Sequence, residues 1–210
     1  MCGISGVFNY SNRNIVSKNI IEKINDLQKD RGPDGNGLWQ SDCKKITLGH
    51  TRLSIIDLTE NANQPFLTED KNYVITFNGE IYNYAEIKKK LQGENVRFIS
   101  DSDTEVILQS YKFWGLKFTK YLRGMFSFAI YDKRKKELIL VRDPFGIKPL
   151  YYVKSGNVIY FASQIKSLLS ISHIKFTLSN AGICSYYVWG HLQEPFTLYK
   201  EIKSLKKGSI

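Results

Sequence analysis

Two observations predict an α+β fold built on antiparallel sheets. β-rich runs and helical patterns come in blocks rather than in strict alternation, and the second half of the chain holds four β-rich runs at short spacing. At 210 residues the chain is long enough for one large domain, or one domain with an extension, and such a domain needs no disulfide staples.

Residues 2–9 read as a short strand of small residues. Ile20, Ile21, Ile24 and Leu27 recur at helical spacing over 18–28, and Arg31-Gly32-Pro33-Asp34-Gly35 ends that helix with turn chemistry. Ile46–Leu48 and Leu53–Leu58 read as strands around His50-Thr51-Arg52. Residues 57–65, with Asn61, Asn63 and Pro65, read as a loop. Tyr73–Phe77 is a strand that ends in Asn78-Gly79, a turn pair. Tyr84, Ile87 and Leu91 share a helical face over 83–92, with Gly93 as its stop. Ser102-Asp103-Thr104-Glu105 matches a capping box, and Val106, Ile107, Ser110, Tyr111 and Trp114 continue the helix.

The late β-rich runs are Met125–Tyr131, Leu138–Val141, Leu150–Val153 and Val158–Phe161. Lys133-Arg134-Lys135-Lys136 reads as a hairpin turn between the first two, and Asp143–Pro149 as a rigid turn between the second and third. Ser163–Ser170 and Ser179–Tyr187 are the closing helices.

Several functions are excluded or disfavoured. The chain has no Gly-Gly pair, no Gly-Lys pair and no GxGxxG, so Walker-type and dinucleotide phosphate loops are absent. The net charge of +10 comes from scattered lysines, which reads as a solvated surface rather than a nucleic-acid footprint. Three cysteines, Cys2, Cys43 and Cys184, without a CxxC give neither a disulfide framework nor a zinc ribbon. His173 and His191 lack ligand-like neighbours, so no metal is expected. No apolar run spans a bilayer and no secretory signal is present, so no membrane association and a reducing cytoplasm are expected. Cys43 and Cys184 are expected to be buried, unreactive thiols.

Cys2 carries the sharpest chemical signal. Loss of Met1 exposes a thiol and a free α-amine on one residue. With a pKa of about 7.7–8.0 the amine is partly neutral at physiological pH, so the nucleophile carries its own base. An amide-cleaving thiol also needs oxyanion donors, and Asn78 with the Gly79 backbone N–H supplies two. It needs substrate anchors as well. Arg52 can fork onto a carboxylate, and Asp103, at a helix N-terminus, can face an ammonium. Taken singly, each of these residues has an ordinary structural role; together they form a pattern. A Cys2–His50 dyad is disfavoured, because the α-amine already supplies the base.

That pattern runs through Met1-Cys2-Gly3-Ile4-Ser5-Gly6, Arg31-Gly32-Pro33-Asp34-Gly35, Gly49-His50-Thr51-Arg52-Leu53-Ser54-Ile55-Ile56-Asp57, Phe77-Asn78-Gly79-Glu80-Ile81-Tyr82-Asn83 and Ser102-Asp103-Thr104-Glu105. Further blocks are Leu122-Arg123-Gly124-Met125-Phe126-Ser127, Arg142–Tyr152 and Phe161-Ala162-Ser163. In these the chain resembles the glutamine amidotransferase domain of glutamine-hydrolysing asparagine synthetases, a class II amidotransferase with an N-terminal nucleophile.

The resemblance implies a four-layer αββα sandwich of two antiparallel sheets. It implies Cys2 as nucleophile, Asn78 and Gly79 as oxyanion hole, Arg52 on the glutamine α-carboxylate, Leu53, Ser54, Ile55 and Ile56 along the pocket, and Glu80 and Asp103 at the α-amino end. Residues 2–190 are then the glutaminase domain and 191–210 the start of a linker toward an ATP-dependent synthetase domain absent from this chain. L-glutamine is the expected substrate. The glutaminase step is expected to need no cofactor and no metal, ATP and magnesium belonging to the absent domain. A homodimer is left open. The ammonia produced would amidate aspartate.

Gln164 stands where the family often has Glu. Tyr186, Tyr187 and Trp189 read as core or as a docking surface for the absent domain. Other readings are a glutaminase domain of amidophosphoribosyl- or hexosamine-forming type, a glutamine-binding module without turnover, and a basic nucleic-acid-binding protein. The Arg52–Asp57 and Gly146–Tyr152 blocks favour the synthetase type.

Overall fold

The computed structural model describes residues 1–11, 16–54 and 63–210. Among these, ten strands form two antiparallel sheets. The six-stranded sheet runs in the order β10 (Ile202–Ser204), β8 (Tyr151–Ser155), β9 (Val158–Ala162), β1 (Gly3–Asn9), β3 (Ile46–Arg52) and β2 (Gly35–Gln40). The four-stranded sheet runs β4 (Phe66–Leu67), β5 (Tyr73–Ile81), β6 (Gly124–Asp132), β7 (Glu137–Arg142).

Three apolar clusters show the layering. Ile4, Leu48, Val74, Ala129, Tyr131 and Phe161 pack between the sheets. Val7, Ile21, Ile24, Tyr160 and Leu168 join the six-stranded sheet to α1 (Lys18–Leu27) and α4 (Ile165–Leu168). Ile75, Phe77, Phe128, Leu91, Val106 and Ile107 join the four-stranded sheet to α2 (Tyr84–Gly93) and α3 (Asp103–Trp114). The order is helix, sheet, sheet, helix, the αββα sandwich expected.

The period of two along a strand fixes the location of the site. On β5, Tyr73, Ile75 and Phe77 face the helices, so Val74, Thr76, Asn78 and Glu80 face the gap between the sheets. Thr76 Oγ1 crosses that gap to donate to the Gly49 carbonyl at 2.9 Å. On β3, Ile46 and Leu48 face the gap, which places His50 and Arg52 there too. Ile4 of β1 sets the same face for Cys2, two residues earlier.

Several elements differ from the sequence reading. Asn78-Gly79 is no turn. Both residues lie inside β5, in register with Ser127 and Phe126 of β6. A side chain at Gly79 would sit 2.3 Å from the Met125 carbonyl, so close strand packing requires glycine there. The two strands expected around His50 are one strand that ends at Arg52. Leu53 and Ser54 follow it as irregular backbone, and 55–62 lie outside the described residues. Helix α2 runs through Gly93, and Asn95, at φ 62, takes the left-handed turn beyond it.

Half of the capping box forms. Ser102 Oγ accepts from Thr104 N–H at 3.1 Å, while the Glu105 carboxylate turns to the N–H groups of Ile99 and Ser100. The closing helix expected over 163–170 is confined to Ile165–Leu168. The Lys133–Lys136 turn joins β6 to β7 as read. Cys43 and Cys184 are exposed rather than buried. Strands β2, β4 and β10 are additions to the sequence reading. In the stretch 191–210, β10 pairs with β8 and buries Ile202 completely. Among the described residues no helix is long and apolar enough to cross a membrane.

Candidate active site

One pocket of about 100 Å³ opens at the end of the gap between the sheets. Its lining includes Cys2, Arg52, Leu53, Ser54, Asn78, Gly79, Glu80 and Asp103. Every described residue that the sequence reading singles out for the site is therefore in one place. Ile55 and Ile56 lie outside the described residues. The lining also holds residues to which the sequence reading gives no site role: Gln64, Phe77, Ser102, Thr104, Met125 and Lys148.

Cys2 precedes β1 and is half-buried. Its Sγ accepts from the Leu53 N–H at 3.3 Å and lies 3.6 Å from the Leu53 carbonyl, so Leu53 meets the thiol through its backbone. Arg31 Nε donates to the Cys2 carbonyl at 2.9 Å. Burial pushes the thiol above its usual range, against the Leu53 N–H, the chain amine, Arg31 and Arg52, which all favour the thiolate. The Arg31–Gly35 turn supports the same corner. The Asp34 N–H donates to the Arg52 carbonyl, and Asp34 Oδ2 accepts from the Ser54 N–H at 2.8 Å.

Asn78 is 1% exposed and its Nδ2 has no hydrogen-bond partner among the described residues. An amide N–H₂ buried without an acceptor is costly, and in a native pocket it calls for an explanation. Here it lines the pocket that holds the thiol. Gln64 fixes the same wall, accepting from the Phe77 N–H at 2.6 Å and donating to Thr104 Oγ1 at 3.1 Å. His50 is fully buried and donates from Nε2 to the Phe77 carbonyl at 3.1 Å, in the tautomer that this contact sets. Burial lowers its pKa to about 4, so it is neutral at physiological pH, and its hydrogen bond goes to the backbone and not to Cys2.

Asp103 begins α3 and is 4% exposed. Its Oδ2 accepts from the Ile81 N–H at 3.0 Å. Burial raises its pKa to about 6; the N–H groups of Ile81 and Thr104 oppose that rise and the Glu80 carboxylate adds to it. Arg52 donates from Nη1 to Asn63 Oδ1 at 2.6 Å at the rim. The pocket thus sets a half-buried thiol, an unpartnered amide donor, a guanidinium and a buried carboxylate around one small space. That set can bind a zwitterion and polarise an amide. Among the described residues no group of three or more His, Cys, Asp or Glu side chains is placed to hold a metal ion.

Two antiparallel sheets between helical layers, with a near-terminal thiol at the end of the gap between them, are the architecture of the N-terminal-nucleophile hydrolases. The chain belongs to the glutamine amidotransferase domain family, whose model matches residues 1–210. It is 39% identical to asparagine synthetase [glutamine-hydrolyzing] 1 of Bacillus subtilis over 211 residues, which is 100% of this chain and 33% of that protein. It is 36% identical to putative asparagine synthetase [glutamine-hydrolyzing] 2 of Methanocaldococcus jannaschii, covering 98% of this chain and 42% of that one. The chain thus spans between a third and less than half of the length of these curated relatives. Among solved structures, the glutamine phosphoribosylpyrophosphate amidotransferase of B. subtilis aligns with a TM-score of 0.69 at 21% identity, over 81% of this chain and 44% of that one. That likeness concerns the fold.

Proposed function

We propose that this domain hydrolyses L-glutamine to glutamate and ammonia through a γ-glutamyl thioester on Cys2. The observation that carries the reading is the convergence of Cys2 with the unpartnered Asn78 Nδ2, between Arg52 on one side and Asp103 on the other. After removal of Met1, the Cys2 α-amine takes the thiol proton and the sulfur pair attacks the side-chain carbonyl carbon. The carbonyl electron pair moves to oxygen, which Asn78 Nδ2 and the Gly79 N–H receive. Collapse of this state expels ammonia, which carries the proton from the amine, and water then releases glutamate. Arg52 takes the α-carboxylate, and Asp103, with Glu80, faces the α-ammonium. No cofactor or metal enters this step.

The ammonia goes to an ATP-dependent synthetase domain that amidates aspartate, with ATP and magnesium bound there. The names and lengths of the relatives support that part. So does α5 (Asn180–Trp189), which buries Gly182 and exposes Tyr186, Tyr187, Val188 and Trp189, an apolar face suited to a docked partner domain.

Intact mass and ammonia release test the proposal together. The expected results are loss of one methionine and ammonia formation that Cys2→Ala abolishes. A wild-type chain with Met1 removed that binds glutamine but releases no ammonia would overturn it.

A further inference from the structure

Lys148 lines the same pocket as Cys2 and is 6% exposed. Its backbone is clamped on both sides. Its N–H donates to Asp143 Oδ2 at 3.0 Å, and its carbonyl accepts from Arg142 Nε at 2.9 Å. Its ammonium has no hydrogen-bonded or ion-paired partner among the described residues. Its stem is packed into the pocket wall while the ammonium tip stays in touch with the open pocket, a place where a charge can act on what the pocket holds.

The charges around it narrow that use. Arg31, whose Nε holds the Cys2 carbonyl, opposes its charge, while the Cys2 thiol, Glu80 and Asp143 favour it. The Asp143 carboxylate already accepts from the N–H groups of Phe126, Phe145, Ile147 and Lys148. Arg52 and the chain amine also face the thiol, and His50 stays neutral. The turn at 143–149 thus fixes the Lys148 backbone at the pocket that also holds Cys2.

We propose that Lys148 is a positioning residue for the nucleophile: its fixed charge favours the Cys2 thiolate and the anionic tetrahedral state that follows attack. Lys148 takes no proton in the reaction. The thiol proton still goes to the α-amine, the sulfur pair forms the S–C bond and the carbonyl pair moves to oxygen. The inference rests on Cys2 as nucleophile, and its test does not need turnover.

Alkylation of the full chain by iodoacetamide is followed against pH, reading the mass of the Cys2 peptide so that exposed Cys43 and Cys184 do not contribute. Lys148→Met is expected to raise the pH midpoint of Cys2 alkylation by about one unit, and Lys148→Arg to keep it near wild type. In steady state kcat for glutamine falls about tenfold in Lys148→Met while KM changes less than about twofold. Lys148→Gln is the second uncharged variant, with thermal unfolding as the check on folding, and it should shift as Met does. An unmoved midpoint in a folded uncharged variant overturns the proposal, as does an Arg variant that shifts as far as Met. A wild type that alkylates at Cys2 but never releases ammonia overturns the glutaminase reading instead.

Discussion

On the wall of the pocket supplied by the six-stranded sheet, Cys2, Arg52, Leu53 and Ser54 sit at strand ends, half-buried. On the wall supplied by the four-stranded sheet, Asn78 lies inside a strand and Asp103 in the first turn of a helix whose first nine residues are all buried. In the proposed reaction the thiol forms and breaks a bond and the guanidinium admits the substrate, and both stand where the chain leaves its ladder. In that reaction the amide donor and the carboxylate are in place before substrate arrives, and they stand on a strand paired along its length and on a buried helix. The difference predicts that damage at the thiol removes the chemistry, damage at Asn78 removes preorganisation, and damage at the charged anchor on either wall removes capture.

The largest expected effect is on the first wall. Cys2→Ala should lower ammonia release by more than about a thousandfold while calorimetry still detects glutamine, and residual turnover above that level argues against covalent catalysis. Next comes the second wall. Asn78→Ala should lower kcat by about a hundred- to thousandfold with a much smaller change in KM, because an oxyanion donor acts mainly in the tetrahedral state. If KM takes the whole loss, Asn78 serves binding, and its difference from the charged anchors disappears.

Arg52→Lys and Asp103→Asn set the walls against each other. Each should weaken glutamine capture by about 2–5 kcal/mol, read as a raised KM, while an activated amide lacking both α-charges is acylated nearly as in wild type. Asp103 adds a pH signature. With its pKa raised to about 6, its charge is lost as pH falls through that value, so KM for glutamine should rise below about pH 6 in wild type and stay flat in Asp103→Asn. The sign for stability is opposite. The folded state holds the proton more tightly than the unfolded chain, so this group's contribution is fully present below about pH 4 and is lost as pH rises through about 6. Urea midpoints across that window should drop less in Asp103→Asn.

The smallest effect falls outside both walls. Tyr187→Ser, at 84% exposure, should change unfolding free energy by less than about 0.5 kcal/mol, while binding of a separately expressed synthetase domain weakens. A large loss of stability would make Tyr187 part of the core.

The sequence makes the two walls unequally legible. Cys2, Arg52 and Asp103 are readable because each residue type states its chemistry. Asn78-Gly79 is readable as a donor pair but misread as a turn, because that dipeptide favours turns unless a neighbouring strand claims it, and β6 does. Strand β2 hides because Gly35 and Gly37 interrupt any alternation, and β4 and β10 because two or three residues carry no period. Arg31 and Gln64 gain their places only through long-range hydrogen bonds to Cys2 and β5, which no local pattern encodes. For Lys148 the signal is a basic residue inside a proline-bounded turn, and its burial emerges only once Arg142 and Asp143 close that turn. Cys43 shows the converse error: a cysteine type that is usually buried lands on an exposed turn.

Strand β1 lies between two partners that the ribosome delivers at very different times. β3 follows it within some forty residues, but β9 begins at Val158, 149 positions after the end of β1 at Asn9. At about 5–20 residues per second that interval is roughly 7–30 s, during which the N-terminus leads a strand with one edge open. The removal of Met1 that the proposed reaction requires would therefore act on an extended segment long before a pocket exists to shelter it. In the proposed reaction the nucleophile would be prepared first, and the sheet that aims it would close last.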